Sequence, residues 1–352
     1  MPVKIKFTKS YSLYLASSLV ASVIFSYYYF LYTHEYPPGS AERIANFSAD
    51  KVFQTRLLIP ILADSLLPLI PILKIIFQWV VPYPIDFHVL LQIINVIAVF
   101  LLLISLPKLL ECLGSRTGHW LTLIILIPIS WNYILINGVI DGAGLYYCYD
   151  IPSLTFFSIG LILLIEKKWV WFYIVFVLAT LNRESSCFIS LSGFLLLSKF
   201  SNFNPKFFFT ENKILLLHIL SQAAIWVGIK IMLHHIFKNN PGEFFEEPHS
   251  MIQFLSGIGN GQIHWAMQNA SWFLTLFMGI WLLTAVLYKH LSTQGRRFLL
   301  VGIIYLIVLI FRSNMMETRV YNELNVILAV TTIICIHNFF ITNPYQREVG
   351  HC

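Results

Sequence analysis

Arg183 and Glu184 stand back to back in "LATLNRESSCFISL" (178–191), between two apolar runs that are each barely long enough to cross a bilayer. Ionisable groups held at a membrane edge are costly and ordinarily face a partner or a wet cavity. The arrangement recurs. Asp150 opens the run 151–165 in "YCYDIPSL", and Arg56 introduces another in "FQTRLLIP". Glu317, Arg319 and Glu323 crowd the entrance to the last run in "METRVYNEL". Arg319 and Glu323 are four apart, which on a helix gives them a common face. Glu35 follows the first apolar run in "YTHEYPP", and Asp141 sits in "DGAG". A carboxylate in a cavity can take a proton from a hydroxyl, and the planar fork of Arg suits phosphate. Four charged sites at four span edges on one side read as a ring around a cavity. Each also has a plainer reading: a solvated turn for Arg183–Glu184, a turn residue for Asp141, a helix end for Glu35. Asp150 in turn reads as an N-cap, with Pro152 near the first turn.

The elements that must position these residues are transmembrane helices. The 352 residues are 57% apolar, 16% aromatic and only 11% charged, with a mean hydropathy of +0.73. Soluble domains of this size carry about a quarter charged residues. The composition therefore predicts an all-α polytopic membrane protein, a single transmembrane domain over 1–352. The basic head and long apolar run of "MPVKIKFTKSYSLYLASSLVASVIF" predict a retained first span rather than a cleaved signal. Five cysteines (112, 148, 187, 335, 352) lack metal-ligand spacing, and their odd number does not suggest a disulfide framework. No basic–aromatic pattern, zinc knuckle or glycine-rich phosphate loop points to nucleic acid or nucleotide.

About ten spans are expected, at 11–33, 86–107, 120–138, 151–165, 168–182, 185–200, 214–236, 266–288, 297–311 and 322–341. The stretch 57–83 is apolar but contains Asp64, Lys74 and prolines at 60, 68, 71 and 82. Taking it as membrane-lying helices within a first outer loop (34–85) gives a consistent sidedness. The inner segments then hold Lys4, Lys6, Lys9, Lys108, Arg116, Lys167, Lys168, Lys199, Lys206, Lys213, Lys289, Arg296, Arg297 and Arg347. Those are 14 of the 23 Lys and Arg, accompanied by only Glu111, Glu166, Glu211 and Glu348 among the acids. Lys/Arg enrichment marks the cytoplasmic side, so both termini are expected in the cytoplasm and the charged ring outside. Outer loop four (237–265) brings Glu243, Glu246 and Glu247 with His249 and His264. That group reads as a solvated acidic loop or a divalent-cation site. Asn46-Phe-Ser48 and Asn269-Ala-Ser271 match the N-glycosylation pattern, which matters only in a eukaryotic secretory membrane. Lys230 is the exception to nearly charge-free mid-span regions.

A short cytoplasmic head, a first span ending in an acid, a long outer loop with membrane-lying helices and a second acidic outer loop resemble the GT-C superfamily. These are polytopic glycosyltransferases that take sugars from polyprenyl-phosphate carriers. The stretches "RLLIPILADSLL", "YDIPSLTFF", "LATLNRESSCFISL" and "ETRVYNEL" resemble bacterial inner-membrane proteins of that type. The topological likeness covers roughly the first 200 residues. It implies a polyprenyl-phosphate sugar lipid as donor, a glycan or lipid acceptor, and a role in cell-envelope polysaccharide or glycolipid assembly. It further implies Glu35, the acid after the first span, as base on the acceptor, Asp150 or Asp141 in the second outer loop for binding acceptor or a Mg or Mn ion, and Arg56, Arg183 and Arg319 as neutralising the lipid phosphate. From the charged ring itself, Asp150 and Glu184 join Glu35 as candidate catalytic carboxylates, and Glu317 and Glu323 are candidate substrate-binding residues. The sequence departs from the pattern in having no paired acids in the first loop, only Glu35 with Glu42 farther on. Tyr146, Tyr147 and Tyr149 are candidates for stacking on sugar faces or for an interfacial aromatic belt. Competing readings are a polysaccharide polymerase or ligase, a lipid or solute transporter or flippase, and a non-catalytic membrane scaffold.

Overall fold

The computed structural model describes residues 9–77, 86–115, 117–140, 144–199, 205–244, 275–312 and 318–342. Helix α1 (Lys9–Tyr32) is followed by four short helices, α2 (Ala41–Ala45), α3 (Lys51–Gln54), α4 (Leu58–Ser65) and α5 (Ile70–Phe77). Next come α6 (Phe87–Cys112), a 3-10 stretch His119–Ile125, α7 (Leu126–Ser130) and a π-helical stretch Trp131–Ile140. The chain continues with α8 (Asp150–Ile165), α9 (Trp169–Asn182), α10 (Cys187–Leu197) and α11 (Pro205–Ile236). It closes with α12 (Ile280–Val286), α13 (Thr293–Arg312) and α14 (Asn322–Thr342). Two-residue strands at His34–Glu35 and Leu145–Tyr146 pair in parallel.

Among the described residues, six helical runs are long and apolar enough to cross a membrane: Lys9–Tyr32, Leu58–Ile75, Phe87–Cys112, His119–Ile136, Lys206–Ile236 and Thr318–Ile341. Asp150–Ile165, Trp169–Asn182, Glu184–Leu197 and Leu276–Val286 are apolar but shorter. The burial pattern is that of a bundle in lipid. Ile75, Val170, Ile214 and Val286 are each more than 70% exposed, whereas Asp150, Asn132, Asn322 and Asn325 are fully buried. In water this would leave apolar faces unprotected; in a bilayer the lipid covers them.

Small and polar residues bring the helices together, as expected where lipid removes the hydrophobic drive between them. Asn95 of α6 donates to Ser26 of α1 at 2.9 Å, and Thr155 of α8 donates to the Ala98 carbonyl at 2.7 Å. Gly193 lets α10 lie against α8: a Cβ there would stand 2.6 Å from Leu164 Cδ1.

The bundle has two distinct ends. At one, Lys108 reaches Glu111 and Glu166, Lys168 reaches Glu166, Lys199 reaches Glu211, and Arg297 caps the Ser198 carbonyl. The other end carries the strand pair and the larger connections. The excursion between α1 and α6 both leaves and rejoins there. Arg56, just before α4, pairs with Glu184 at 2.6 Å, and His88, in the first turn of α6, lies 3.4 Å from Glu35. The stretch 57–86 thus starts and finishes at one end of the bundle.

What precedes Arg56 is tied down. Gln54, fully buried, donates to the Ile44 carbonyl and accepts from the Ala49 amide. Asn240, just beyond α11, donates to the carbonyls of Phe47 and Ala49 at 3.0 and 2.8 Å. The Lys51 amide in turn donates to the Pro241 carbonyl. These bonds occupy backbone groups that a loop near the membrane cannot leave unpaired.

Candidate functional site

Four elements meet at this end: the start of α8, the turn between α9 and α10, the chain leading into α4, and the entry to α14. Arg183 ends α9 with extended backbone angles (φ −159°, ψ 147°). That breaks the helix and sends its side chain across to the first residue of α8. There Arg183 Nη1 donates to Asp150 Oδ1 at 2.8 Å, with side chains 6% and 0% exposed. Arg183 Nη2 reaches the Arg319 carbonyl at 3.4 Å. Asp150 is no N-cap here; its carboxylate serves the arginine, and Oδ2 has no hydrogen-bond partner among the described residues.

Glu184 turns the other way. Arg56 grips both of its oxygens, Nε at 3.2 Å and Nη2 at 2.6 Å, the bidentate geometry that makes such pairs strong. Arg56 Nη1 donates to the Tyr149 hydroxyl at 2.6 Å, and the guanidinium lies 4.7 Å from that ring centroid. Trp226 of α11 donates to the Glu184 carbonyl at 2.9 Å.

Glu323 accepts from the Ser185 hydroxyl and from the Tyr305 hydroxyl, so its oxygens too are engaged. The shared helical face expected for Arg319 and Glu323 does not form an ion pair. Residues Thr318–Tyr321 are a 3-10 turn ahead of α14, and the Arg319 guanidinium instead stacks 3.6 Å from the Tyr147 ring centroid. Asn322, between them, donates to the Asp150 carbonyl at 2.6 Å and to Ser153, and accepts from Tyr133.

The structure therefore brings together Arg56, Asp150, Arg183, Glu184, Arg319 and Glu323. Glu35 lies at the same end with partners of its own: Oε1 accepts from the Ala41 amide at 2.9 Å and Oε2 is 3.4 Å from His88 Nε2. Asp141 and Glu317 lie outside the described residues, as do Glu246, Glu247, His249 and His264. Tyr146, Tyr147 and Tyr149 are at most 3% exposed. Their rings brace Arg319, Arg56 and Tyr29 rather than presenting a face to a ligand.

Sequence reasoning missed Asn322, Ser185, Tyr133 and Tyr305. Asn322 had a signal: an amide in an apolar run needs partners. The hydroxyl donors had none. A small cavity lies beside the pairs, lined in part by Ser153, Arg183, Ser185, Ser186 and Glu323.

No group of three His, Cys, Asp or Glu side chains placed to hold a metal ion occurs among the described residues. Among the described residues, the carboxylates of Glu184 and Glu323 are engaged by arginine or hydroxyl donors, and Asp150 keeps one oxygen without a partner. Chemically, the site offers three guanidinium groups in a low-dielectric setting and one carboxylate oxygen still open to a proton.

Comparison of the chain with protein-family models, with curated proteins and with solved structures gives no match.

Proposed function

We propose that the chain is a membrane glycosyltransferase that takes a sugar from a polyprenyl-phosphate carrier at the outer face of a bacterial-type inner membrane. The observation that carries this reading is the gathering of Arg56, Arg183 and Arg319 around Asp150 at one end of an apolar bundle. In the proposed step the acceptor hydroxyl oxygen attacks the anomeric carbon, and its proton passes to Asp150 Oδ2. The bond from that carbon to the phosphate oxygen breaks, and the electron pair leaves with the lipid phosphate. Fixed guanidinium groups aimed at that developing charge are worth more in a dry site than in water. Glu323, engaged on both oxygens by hydroxyl donors, holds the fold of the site, and Glu184 is the resting partner of Arg56. Glu35, in the strand that follows α1, is the second carboxylate of this end and is bonded to the Ala41 amide.

The same reading takes the bundle as ten passes with cytoplasmic termini. The contacts that mark the two ends support it: among the described residues Lys108, Glu166 and Lys199 meet partners at one end, and Asp150, Glu184 and Asn240 at the other. It also takes α4 and α5 as lying in the membrane surface, a reading supported by Arg56 and His88 both pairing at one end of the bundle.

The test uses purified protein, labelled lipid-linked sugar and an acceptor, with covalent product as the readout. Asp150→Asn is expected to lower product formation by about 10²- to 10⁴-fold, the range for removing a general base. Full activity of this variant would remove the step.

A second reading, a carrier, is favoured by one feature. Phe277, Met278 and Gly279 are all left-handed (φ 58°, 52° and 68°), interrupting the helical run, and Asn132 receives the Phe277 amide at 3.0 Å. Broken helices of this kind build transporter sites. Translocation of the lipid-linked sugar without covalent product would select it.

A further inference from the structure

The two arginine–carboxylate pairs differ in their access to the surroundings. Side-chain exposure is 8% for Arg56 and 43% for Glu184, against 6% and 0% for Arg183 and Asp150. In the first pair the carboxylate is the open member. The guanidinium behind it is fixed independently, by the Tyr149 hydroxyl and ring. The backbone of residue 184 is fixed too, by the Trp226 indole. The carboxylate can therefore swing away while arginine and backbone stay in place.

One helical turn beyond Trp226 on α11, Lys230 Nζ is shielded from solvent and has no hydrogen-bond partner among the described residues. It lies close enough to Glu184 to act on it electrostatically. A shielded ammonium without an acceptor is costly to keep. Its helix is peripheral: the neighbouring Val227 and Ile231 are 46% and 64% exposed. The two cations thus flank one partly open carboxylate at the rim of the bundle, where lipid would lie.

We infer that Glu184 is a displaceable stopper in an anion seat made by Arg56 and Lys230, and that the phosphate of a lipid entering sideways along α11 takes its place. The inference rests on the proposed function for the ligand's chemistry alone, and the exchange requires no transfer step. A phosphate in the seat keeps the Nε and Nη2 bonds of Arg56 and gives Lys230 its missing acceptor. The released carboxylate turns toward the headgroup layer, and the Arg183–Asp150 pair is undisturbed.

The experiment is equilibrium binding of polyprenyl phosphate to the full chain in nanodiscs, with inorganic phosphate as the second probe. Glu184→Gln removes the competing charge and is expected to tighten polyprenyl phosphate binding about tenfold; Lys230→Met is expected to weaken it about tenfold. Inorganic phosphate should follow the same order of variants at far higher concentration. Binding by Glu184→Gln no tighter than that of the unmodified chain overturns the stopper, and unchanged binding by Lys230→Met overturns the seat. Inorganic phosphate binding as tightly as the lipid overturns the sideways route. Should Glu184→Gln fail to fold, Lys230→Met decides alone. Both shifts without covalent product would count against the transferase and leave the seat standing; product formation with neither shift would do the reverse.

Discussion

Arg183→Met should be among the most damaging single substitutions in this chain. The perturbation removes a cation bonded to a carboxylate that has no exposure at all. At the observed N–O separation of 2.8 Å, the Coulomb attraction is about 6 kcal/mol for an effective dielectric near 20. Desolvation offsets much of that when the pair forms, but truncating one partner leaves the other charge stranded, which costs about 3–5 kcal/mol. The assay is equilibrium unfolding in mixed micelles, run on Arg183→Met, Asp150→Asn and the double variant. Removing both charges should recover most of the loss, leaving a coupling energy of about 2 kcal/mol or more between the two sites. Arg56→Met is the internal control. Its partner Glu184 is 43% exposed and can turn toward the headgroup layer once released, so the loss should be smaller. Equal losses for the two arginines, or Arg183→Met costing less than about 1 kcal/mol, would refute the reasoning.

Gly193→Val should destabilise by about 1–3 kcal/mol through overpacking, because its Cβ would stand 2.6 and 2.8 Å from the Leu164 methyls. Adding Leu164→Ala should restore part of the loss; no rescue would mean that α8 and α10 do not meet there. Asn322→Leu should cost about 2–3 kcal/mol by leaving the Asp150 carbonyl and Tyr133 without their partner. A neutral outcome would remove Asn322 from the site's scaffold. Single cysteines in place of Asn46 and Lys168, in a background without other cysteines, should react with an impermeant thiol reagent from opposite sides of sealed vesicles. Labelling from one side would invalidate the two-ended bundle. Glu166 lies between α8 and α9, and the hydrogen bond from Lys168, with help from Lys108, holds its carboxyl below the usual carboxylate range. A lowered carboxyl stabilises the fold above its unfolded pKa and loses that contribution as pH falls through the folded one. Stability should therefore decline below about pH 4, and Glu166→Gln should flatten the decline.

The helical class was legible because apolar runs and scarce charge leave few alternatives, and the charged span edges were legible because ionisable groups are rare in this chain. Which charge meets which was not. Arg183 and Glu184 are adjacent, yet their backbone turn sends one to Asp150 on α8 and the other to Arg56, 128 residues away. The four-residue spacing of Arg319 and Glu323 misled because the helix begins only after the arginine. Loop tyrosines looked free to meet a sugar, and packing against guanidinium groups decided otherwise. About ten spans were expected, and five of the six long apolar helices among the described residues coincide with them; the sixth, Leu58–Ile75, was read as membrane-lying, while α8, α9, α10 and α12 are short and α13 is not among the six.

The detour between Arg56 and His88 returns to the rim from which it departs, and that geometry separates its length from the orientation of everything after it. A deletion or duplication within it leaves α6 starting from the same end of the bundle, as loss of a single traverse would not. The detour can therefore lengthen, shorten or change its apolar surface to suit bilayers of different thickness while both anchoring pairs remain. Variation among relatives of this chain should accordingly concentrate between those two anchors.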